Sequence, residues 1–236
     1  TCRHGKGPVS CPDTRVYRPW TYLLCVESIF LLKKMYSLKS MEYVYEIPNN
    51  LKPEVCACII ENFKGDTNKR PGKTNNENPE AEIIKRSMDL PLELGDSWDN
   101  IIELLRIKLK TGLEEYMSHV KSLHETDEYW FDHVNEFLIH TGFQIQHSTE
   151  GQYYKWHQDG FFKQCRVITA IWYLNTLNED QGGTTDFTIN KKLHRVRPEV
   201  GKLLLFPATW TYPHRGDIVK KGDKYIITAF VSNFEL

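Results

Sequence analysis

The feature that most constrains the fold is a change of hydrophobic pattern at Gly142. Beyond this residue, short runs rich in β-branched and aromatic residues alternate with turns that contain Gly and Asn, a pattern typical of an all-β sandwich or jelly roll. The predicted strands are 143–148, 153–159, 166–175, 184–189, 194–197, 201–206 and 224–232. The second half of the chain therefore predicts an all-β core.

Before Gly142, apolar residues recur at helical spacing. We predict one helix over 51–65, where Pro53 suits the first turn and Gly65 the end. A further helix is predicted over 126–139.

The longest helical stripe begins at Ser97, whose hydroxyl can cap the helix, and continues to Met117. A polar loop with several turn-forming residues is predicted over 66–80. Together these patterns predict an α+β fold, with a sandwich or jelly-roll core and N-terminal helices packed on one sheet.

Residues 1–40 carry seven Lys or Arg residues against Asp13 and Glu27, and they have no clear periodicity. We interpret residues 1–40 as a basic appendage of unknown role. Residues 41–236 are interpreted as one domain, whose motif core lies in 143–232.

The charge balance limits the classes of partner. Thirty Lys and Arg residues oppose 31 Asp and Glu residues, so the formal net charge is −1. Such a chain has no global field to hold a polyanion or an anionic bilayer. The composition therefore argues against a basic, sequence-blind nucleic-acid binder, and it does not indicate the oligomeric state.

An apolar run from Trp20 to Leu32 is interrupted by Glu27 and is shorter than the roughly 20 residues that a spanning helix needs. Its basic flanks give it a loose likeness to a signal sequence, but no small-residue cleavage site follows. The six scattered cysteines suggest neither a disulfide framework nor a zinc motif. We expect a cytoplasmic rather than secreted protein with reduced thiols and no membrane partner.

Candidate metal ligands follow one predicted strand. His157 and Asp159 lie two apart on an extended segment, so their side chains project to the same side. A third donor is available at His214, after strands that could return the chain to the same barrel mouth. Two His and one carboxylate on one face form the facial triad for ferrous iron, although surface histidines would give the same short motif.

A second polar group is predicted inside the barrel. Lys224 and Thr228 share one face of the last strand, and Thr169 and Tyr173 share one face of the strand over 166–175. A lysine that points inward needs an anionic partner, because burying an unpaired ammonium is costly. Taken singly, these hydroxyl residues are also ordinary strand residues.

Several motifs then occur in a characteristic order. They are Gly151-x-x-Tyr154-x-x-His157-x-Asp159, Arg166-x-x-Thr169 leading to Tyr173-Leu174-Asn175, Gly182-Gly183 before Thr185-x-Phe187, Pro198-x-x-Gly201 leading to Leu205-Phe206, and His214 followed by Gly222-x-Lys224. With these motifs, residues 143–232 resemble the catalytic domain of the prolyl 4-hydroxylase-like 2-oxoglutarate and iron(II)-dependent dioxygenases. Residues 1–40 do not share this resemblance.

The resemblance implies that the core of the α+β fold is a double-stranded β-helix (jelly roll) with the N-terminal helices packed on one sheet. It also implies a role for each motif residue. His157, Asp159 and His214 would bind Fe(II), and Lys224 would pair with the distal carboxylate of the cosubstrate 2-oxoglutarate. The pocket of this cosubstrate would be lined by Tyr173, Thr169 and Thr228, and the substrate would be bordered by Tyr154 and Trp156. By the same resemblance, O₂ would be the second cosubstrate, and ascorbate is expected to keep the iron ferrous.

Tyr154 and His157 are three residues apart, so their side chains would point to opposite faces of a regular strand. The strand must therefore bend between them if both face the site. Two other positions depart from the family pattern. Ser148 stands where the collagen-type enzymes carry Tyr, and Thr184 stands where the family usually has Glu after the paired glycines.

The resemblance implies hydroxylation of an unactivated C–H bond, with a peptidyl proline in a peptide or protein substrate as the first expectation. A second enzymatic interpretation keeps the cofactors but takes a free amino acid, another small molecule or an alkylated base. The nucleic-acid demethylases of the superfamily anchor 2-oxoglutarate with arginine, whereas this chain has Lys224, so no nucleic-acid partner is expected. A non-enzymatic cupin-like binding barrel would require the loss of a metal ligand, and all three are present.

Overall fold

The computed structural model describes residues 41–73, 84–95, 97–124, 139–160 and 165–232. All of them fall in one compact unit, residues 39–236. The predicted basic appendage at 1–40 lies outside the described residues. The same holds for most of the helix predicted over 126–139, whose last residue, Ile139, begins a strand instead.

The two described α-helices are α1, Pro53–Gly65, and α2, Asp99–Ser122. Pro53 occupies the first turn of α1, as its fixed φ favours. The prediction that Ser97 caps α2 was wrong. Trp98 stands at the N-cap without a side-chain cap, because its ring is buried and its indole N–H donates to Asp66.

The described strands include four that were not in the predicted set. All the described strands are β1 Tyr45–Ile47, β2 Arg70–Pro71, β3 Met88–Leu92, β4 Ile139–Ser148, β5 Tyr154–His157, β6 Arg166–Tyr173, β7 Thr185–Ile189, β8 Lys192–Val196, β9 Leu203–Pro207, β10 His214–Gly216 and β11 Lys224–Ser232. The three strands before β4 and the short β10 were not predicted. β2 lies within the predicted loop, and β3 contains Pro91, a residue that disfavours a strand in sequence analysis.

The strands form two antiparallel sheets. The larger has the order β1-β9-β6-β11-β4-β3-β2, and the smaller has the order β5-β10-β7-β8. This arrangement confirms the predicted jelly roll. One cavity is lined by residues from both sheets. Its polar lining includes a residue that follows β5 and residues on the inner face of β11.

Successive side chains of β6 pack into two different hydrophobic cores. Trp172 belongs to the core that includes the buried faces of α1 and α2, whereas Tyr173 belongs to the core shared with the smaller sheet. The helices therefore cover the larger sheet, as predicted. In the described ranges, no helix is both long and apolar enough to cross a membrane.

Candidate metal and cosubstrate site

Two neighbouring strands of the smaller sheet bring the candidate metal ligands together. His157 at the end of β5 pairs in register with His214 at the start of β10. Asp159 lies two residues beyond β5, where the chain bends. One ligand atom from each of the three side chains lies within 4.8 Å of the others.

The register of these strands contains the bend that the sequence requires. His214 pairs with His157, and Gly216 pairs with Tyr154. The two pairs are three residues apart on β5 but only two residues apart on β10. Such a bulge inserts one residue and shifts the side-chain parity. The rings of Tyr154 and His157 consequently stack, with centroids 3.5 Å apart and an interplanar angle of 18°.

Backbone carbonyls fix the tautomer of both histidines. His157 Nδ1 lies 2.7 Å from the carbonyl of Lys155, and His214 Nδ1 lies 3.1 Å from the carbonyl of Tyr212. A carbonyl only accepts a hydrogen bond, so each Nδ1 carries the proton and donates. Each Nε2 is thus left with a lone pair, which is the arrangement of metal-ligating histidines.

Asp159 lies between the two imidazoles. Its Oδ1 is 3.5 Å from His157 Nε2, and its Oδ2 is 3.2 Å from His214 Nε2. Burial acts to raise the pKa of Asp159, but the neighbouring His214 and His157 outweigh this effect and hold the pKa well below its usual range. The Thr169 hydroxyl donates to Oδ2 over 2.7 Å and orients the carboxylate.

The protonation states suit a divalent metal. Burial, and then the neighbouring His214, lower the pKa of His157, which favours the neutral imidazole that coordinates metals. Two imidazole nitrogens and one ionised carboxylate on one side leave further coordination positions open, as in non-haem Fe(II) oxygenases. The donor set therefore fits Fe(II).

A buried lysine lies in the same cavity. Lys224 is only 6% exposed, and among the described residues no side chain forms a hydrogen bond or an ion pair with its Nζ. Burial lowers its pKa to about 8, although Asp186 and Asp217 act in the opposite direction. An ammonium in this position fits the free carboxylate of a bound dicarboxylic acid.

The family comparison agrees with this geometry. Residues 143–232, which include the triad and Lys224, match the model of the 2OG-Fe(II) oxygenase superfamily. The match spans 90 of the 236 residues of the chain. No curated protein sequence matches the chain.

Solved structures similar to this chain include several prolyl hydroxylases. The viral collagen prolyl hydroxylase of Paramecium bursaria Chlorella virus-1 has a TM-score of 0.59 and 21% identity, covering 82% of this chain and 97% of its own. A prolyl hydroxylase from Trichoplax adhaerens was solved with a peptide fragment of the hypoxia inducible factor oxygen degradation domain. Its TM-score is 0.65 and its identity 17%, and the alignment covers 92% of this chain and 94% of that protein. A prolyl-4-hydroxylase from Pseudomonas putida has a TM-score of 0.59 and 15% identity, and the alignment covers 81% of this chain and 92% of that protein. At these identities, the likeness describes the fold.

The cavity beside the triad contains most of the residues singled out in the sequence. It is lined by His157, Asp159, His214, Lys224, Thr169, Thr228 and Tyr154, together with Lys85, Arg86, Ser87, Gln146, Ser148 and Tyr153. Tyr173 and Trp156 are not among the lining residues. The Tyr173 hydroxyl donates to Thr185 in the core, and the Trp156 ring is 43% exposed on the outside of the sheet.

The two departures from the family pattern have distinct surroundings. Ser148 pairs in register with Lys224 and lines the cavity beside it. The Thr184 hydroxyl donates to the Asp186 carboxylate over 2.6 Å, and Arg215 pairs with the same carboxylate.

Sequence analysis missed a buried ion pair that forms one wall of the cavity. Lys85 Nζ lies 2.6 Å from Asp89 Oδ2, and both side chains are at least 95% buried. Ser87 and Gln144 donate two further hydrogen bonds to this carboxylate. Lys85 also lies 5.5 Å from the centre of the Tyr154 ring, which stacks on His157.

The missed pair could have been suspected only from spacing. Lys85 and Asp89 are four residues apart, but they precede and occupy β3 rather than a helix, so the usual helical rule for such pairs does not apply. An isolated bridge between Lys85 and Tyr154 joins this segment to β5. The pair is therefore created by tertiary packing.

Replacing Lys85 with Met is expected to destabilise the fold by about 3–5 kcal/mol, because it leaves the buried Asp89 carboxylate without its cation. Denaturant unfolding measures this change. Lys64→Met is the control, since Lys64 pairs with Glu61 on the exposed face of α1 and its loss should leave the midpoint nearly unchanged. Equal midpoints for both variants would contradict the structural importance of the Lys85 pair.

Proposed function

We propose that this protein is an Fe(II)- and 2-oxoglutarate-dependent dioxygenase that hydroxylates a peptidyl proline. The observation that carries the proposal is the position of Lys224, a buried ammonium in the cavity that also contains the metal triad. A cation in such a place needs an anionic partner, and the family match of residues 143–232 supports 2-oxoglutarate as that partner.

The chain's own residues would prepare the metal position. His157 and His214 would bind Fe(II) through Nε2, since their Nδ1 protons are held by backbone carbonyls. Asp159 would add the anionic ligand, oriented by the Thr169 hydroxyl. The bound iron would supply the oxidising chemistry with O₂ and 2-oxoglutarate, and ascorbate would keep it ferrous.

The cosubstrate would lie between the metal and β11. Lys224 would form a charge-assisted pair with the distal carboxylate of 2-oxoglutarate. Thr228 lines the same wall and accepts a hydrogen bond from Gln146. Tyr173 would act indirectly, because its ring lies 5.9 Å from Lys224 Nζ and its hydroxyl is already used by Thr185.

The affinity for 2-oxoglutarate is expected to fall as the pH rises above about 8, because the free Lys224 has a pKa of about 8 and loses its charge there. Below that pH the ammonium is charged and binding is strongest. Asp186 and Asp217, the charged groups that act on Lys224, raise its pKa. Calorimetry on the Fe(II) protein without O₂, between about pH 7 and about pH 9.5, measures the effect.

Lys224→Arg is the control for this pH dependence, since guanidinium stays charged throughout the range. If the variant binds 2-oxoglutarate, its affinity should not decline between about pH 8 and about pH 9.5. A wild-type affinity that is constant over the same range would contradict the assignment of Lys224 as the carboxylate anchor.

The surroundings of Tyr154 support a peptide substrate. Tyr154 and Tyr153 line the open side of the cavity, and Arg86 lies 5.8 Å from the centre of the Tyr153 ring. Aromatic walls suit a proline ring, which offers apolar C–H faces and loses little conformational entropy on binding. Trp156 lies outside the cavity, where it could contact only a part of the substrate that extends beyond the site. The Trichoplax adhaerens neighbour was solved with a peptide, which also favours this substrate class.

The test is anaerobic reconstitution with Fe(II) and 2-oxoglutarate, followed by O₂ and a panel of proline-containing peptides and free amino acids. We expect proline-containing peptides to stimulate succinate release and to gain one oxygen atom by mass spectrometry. Peptides with alanine in place of proline are the matched control. Stimulation by free amino acids but not by the peptides would replace the peptidyl substrate with a small molecule.

A further inference from the structure

The buried Asp89 carboxylate is held by hydrogen-bond donors from β4 and from the segment before β3. Lys85 Nζ and Gln144 Nε2 each donate to its Oδ2 over 2.6 Å, and the Ser87 hydroxyl donates to its Oδ1 over 2.7 Å. Gly72 packs closely beside it, since a β-carbon built on this glycine would lie 2.9 Å from Oδ2. The carboxylate is thus held in one orientation, and it anchors the Lys85 ammonium through a charge-assisted hydrogen bond.

Lys85 connects this carboxylate to the smaller sheet. β5 is an edge strand of that sheet, and an antiparallel bridge joins Lys85 to Tyr154 on it. Beside the bridge, the backbone N–H of Arg86 donates to the carbonyl of Tyr153 over 2.9 Å. The Lys85 ammonium also lies over the Tyr154 ring, 5.5 Å from its centre. Lys85 therefore contacts both the backbone and the ring of Tyr154.

The Tyr154 ring in turn restrains the candidate metal ligand His157. The two rings stack with their centres 3.5 Å apart. The hydrogen bond from His157 Nδ1 to the Lys155 carbonyl holds one atom of the imidazole, whereas the stack holds the plane of the ring. Together they fix the direction of Nε2, the atom that would bind the metal. Losing a group that orients a metal ligand typically lowers metal affinity by about 10- to 100-fold.

We propose that Lys85 is a positioning residue, which holds the Tyr154 ring against His157 so that Nε2 faces the metal position before the metal binds. The inference rests on the proposed function, in which His157 binds Fe(II). An ammonium is attracted to the face of an aromatic ring, more strongly where both are shielded from water, whereas an apolar side chain would only fill the space. A ligand that is oriented in advance loses less conformational freedom on binding.

The experiment measures the dissociation constant of Fe(II) by equilibrium dialysis without O₂. The test variant combines Lys85→Met with Asp89→Asn, because removing both charges leaves no unpaired carboxylate in the interior and should recover much of the stability that Lys85→Met alone loses. Its Fe(II) affinity is expected to fall about tenfold. Lys202→Met is the matched control: this buried lysine pairs with carboxylates away from the cavity, so the affinity should not change.

A double-mutant cycle tests whether Lys85 acts through Tyr154. Tyr154→Leu removes the ring and should itself weaken Fe(II) binding about tenfold, whereas Tyr154→Phe keeps the stack and should bind like the wild type. When the Lys85 and Asp89 substitutions are added to Tyr154→Leu, little further loss is expected, because the ring on which Lys85 acts is absent. A pair with a merely structural role would instead give losses that multiply.

Unchanged or tighter Fe(II) binding by the folded Lys85 and Asp89 double variant overturns the proposal. An equal loss in Lys202→Met also overturns it, and so does the same loss with and without the Tyr154 ring. If the double variant does not fold, the two Tyr154 variants decide. Weaker binding by Tyr154→Leu than by Tyr154→Phe supports the proposal, and equal affinities overturn it, since Lys85 would then have no ring to act through.

The failure of the proposed function gives a different pattern. If Asp159→Ala retains Fe(II) with the affinity of the wild type, the triad is not the metal site and the proposed function fails. If Asp159→Ala weakens Fe(II) binding but the Lys85 and Tyr154 variants do not, only the positioning role of Lys85 is wrong.

Discussion

Replacing Asp159 with Ala is expected to abolish 2-oxoglutarate turnover and to weaken Fe(II) retention. The two remaining imidazoles supply no anionic ligand, and Asp159 is the group that both of them approach within 3.5 Å. Equilibrium dialysis with Fe(II) and succinate release measure the two effects. Unchanged succinate release by a folded Asp159→Ala variant would contradict the assignment of the metal site.

Thr169 allows a graded form of this test. Its hydroxyl holds Asp159 Oδ2, so Thr169→Val should reduce the Fe(II) affinity about 10- to 100-fold without removing a ligand. Thr169→Ser keeps the hydroxyl and should remain close to the wild type. Equal Fe(II) affinities for the Val and Ser variants would mean that the hydrogen bond does not orient the carboxylate.

Replacing Lys224 with Met is expected to raise the dissociation constant of 2-oxoglutarate about thirtyfold or more, with a much smaller effect on Fe(II). Losing one partner of a buried charge pair costs on the order of 2–5 kcal/mol, largely because the other charge is left unpaired. The aliphatic part of the Lys224 side chain lies beside Gly183: a β-carbon built on this glycine would be 3.5 Å from Lys224 Cδ. Methionine is also unbranched and should fill the same space. Titration calorimetry measures both constants.

Lys202→Met is the matched control for Lys224. Lys202 is also buried, at 5% exposure, but it pairs with Glu46 and Glu199 and does not line the cavity. Its replacement should leave the 2-oxoglutarate affinity unchanged. A similar loss of affinity in both lysine variants would show that the effect comes from general destabilisation rather than from the anchor.

The sequence was sufficient to predict the core of the fold. Alternating hydrophobicity after Gly142 identified most strands of the jelly roll, because each strand buries one face. Period-two parity placed Thr169 and Lys224 on inward faces, and both line the cavity. The parity conflict between Tyr154 and His157 predicted a bend, which the structure provides as a bulge opposite β10.

Other features depend on contacts between distant segments and have no local signal. The short β10 pairs with β5 on one side and β7 on the other, so three residues with no hydrophobic alternation form a strand. The start of α2 is set by the buried Trp98 rather than by the hydroxyl of Ser97.

The role of Thr169 shows the same limit at the site. Parity predicted that it faces inward, but only the fold shows that its hydroxyl meets Asp159. The Lys85–Asp89 pair likewise forms where the segment before β3 meets the cavity, and the Arg215–Asp186 pair forms where β10 lies beside β7. Charged residues at such junctions have no spacing rule from which their partners could be inferred.

The central claim is that the His157, Asp159 and His214 triad and Lys224 together support oxidative decarboxylation of 2-oxoglutarate coupled to hydroxylation. Its most direct test is a reaction under isotopically labelled O₂ with Fe(II), 2-oxoglutarate and a proline-containing peptide, followed by mass spectrometry of the succinate and the peptide. The account predicts one labelled oxygen atom in succinate and one in the peptide, in equal amounts. Peptide modification without labelled succinate, or with oxygen drawn from water, would contradict it.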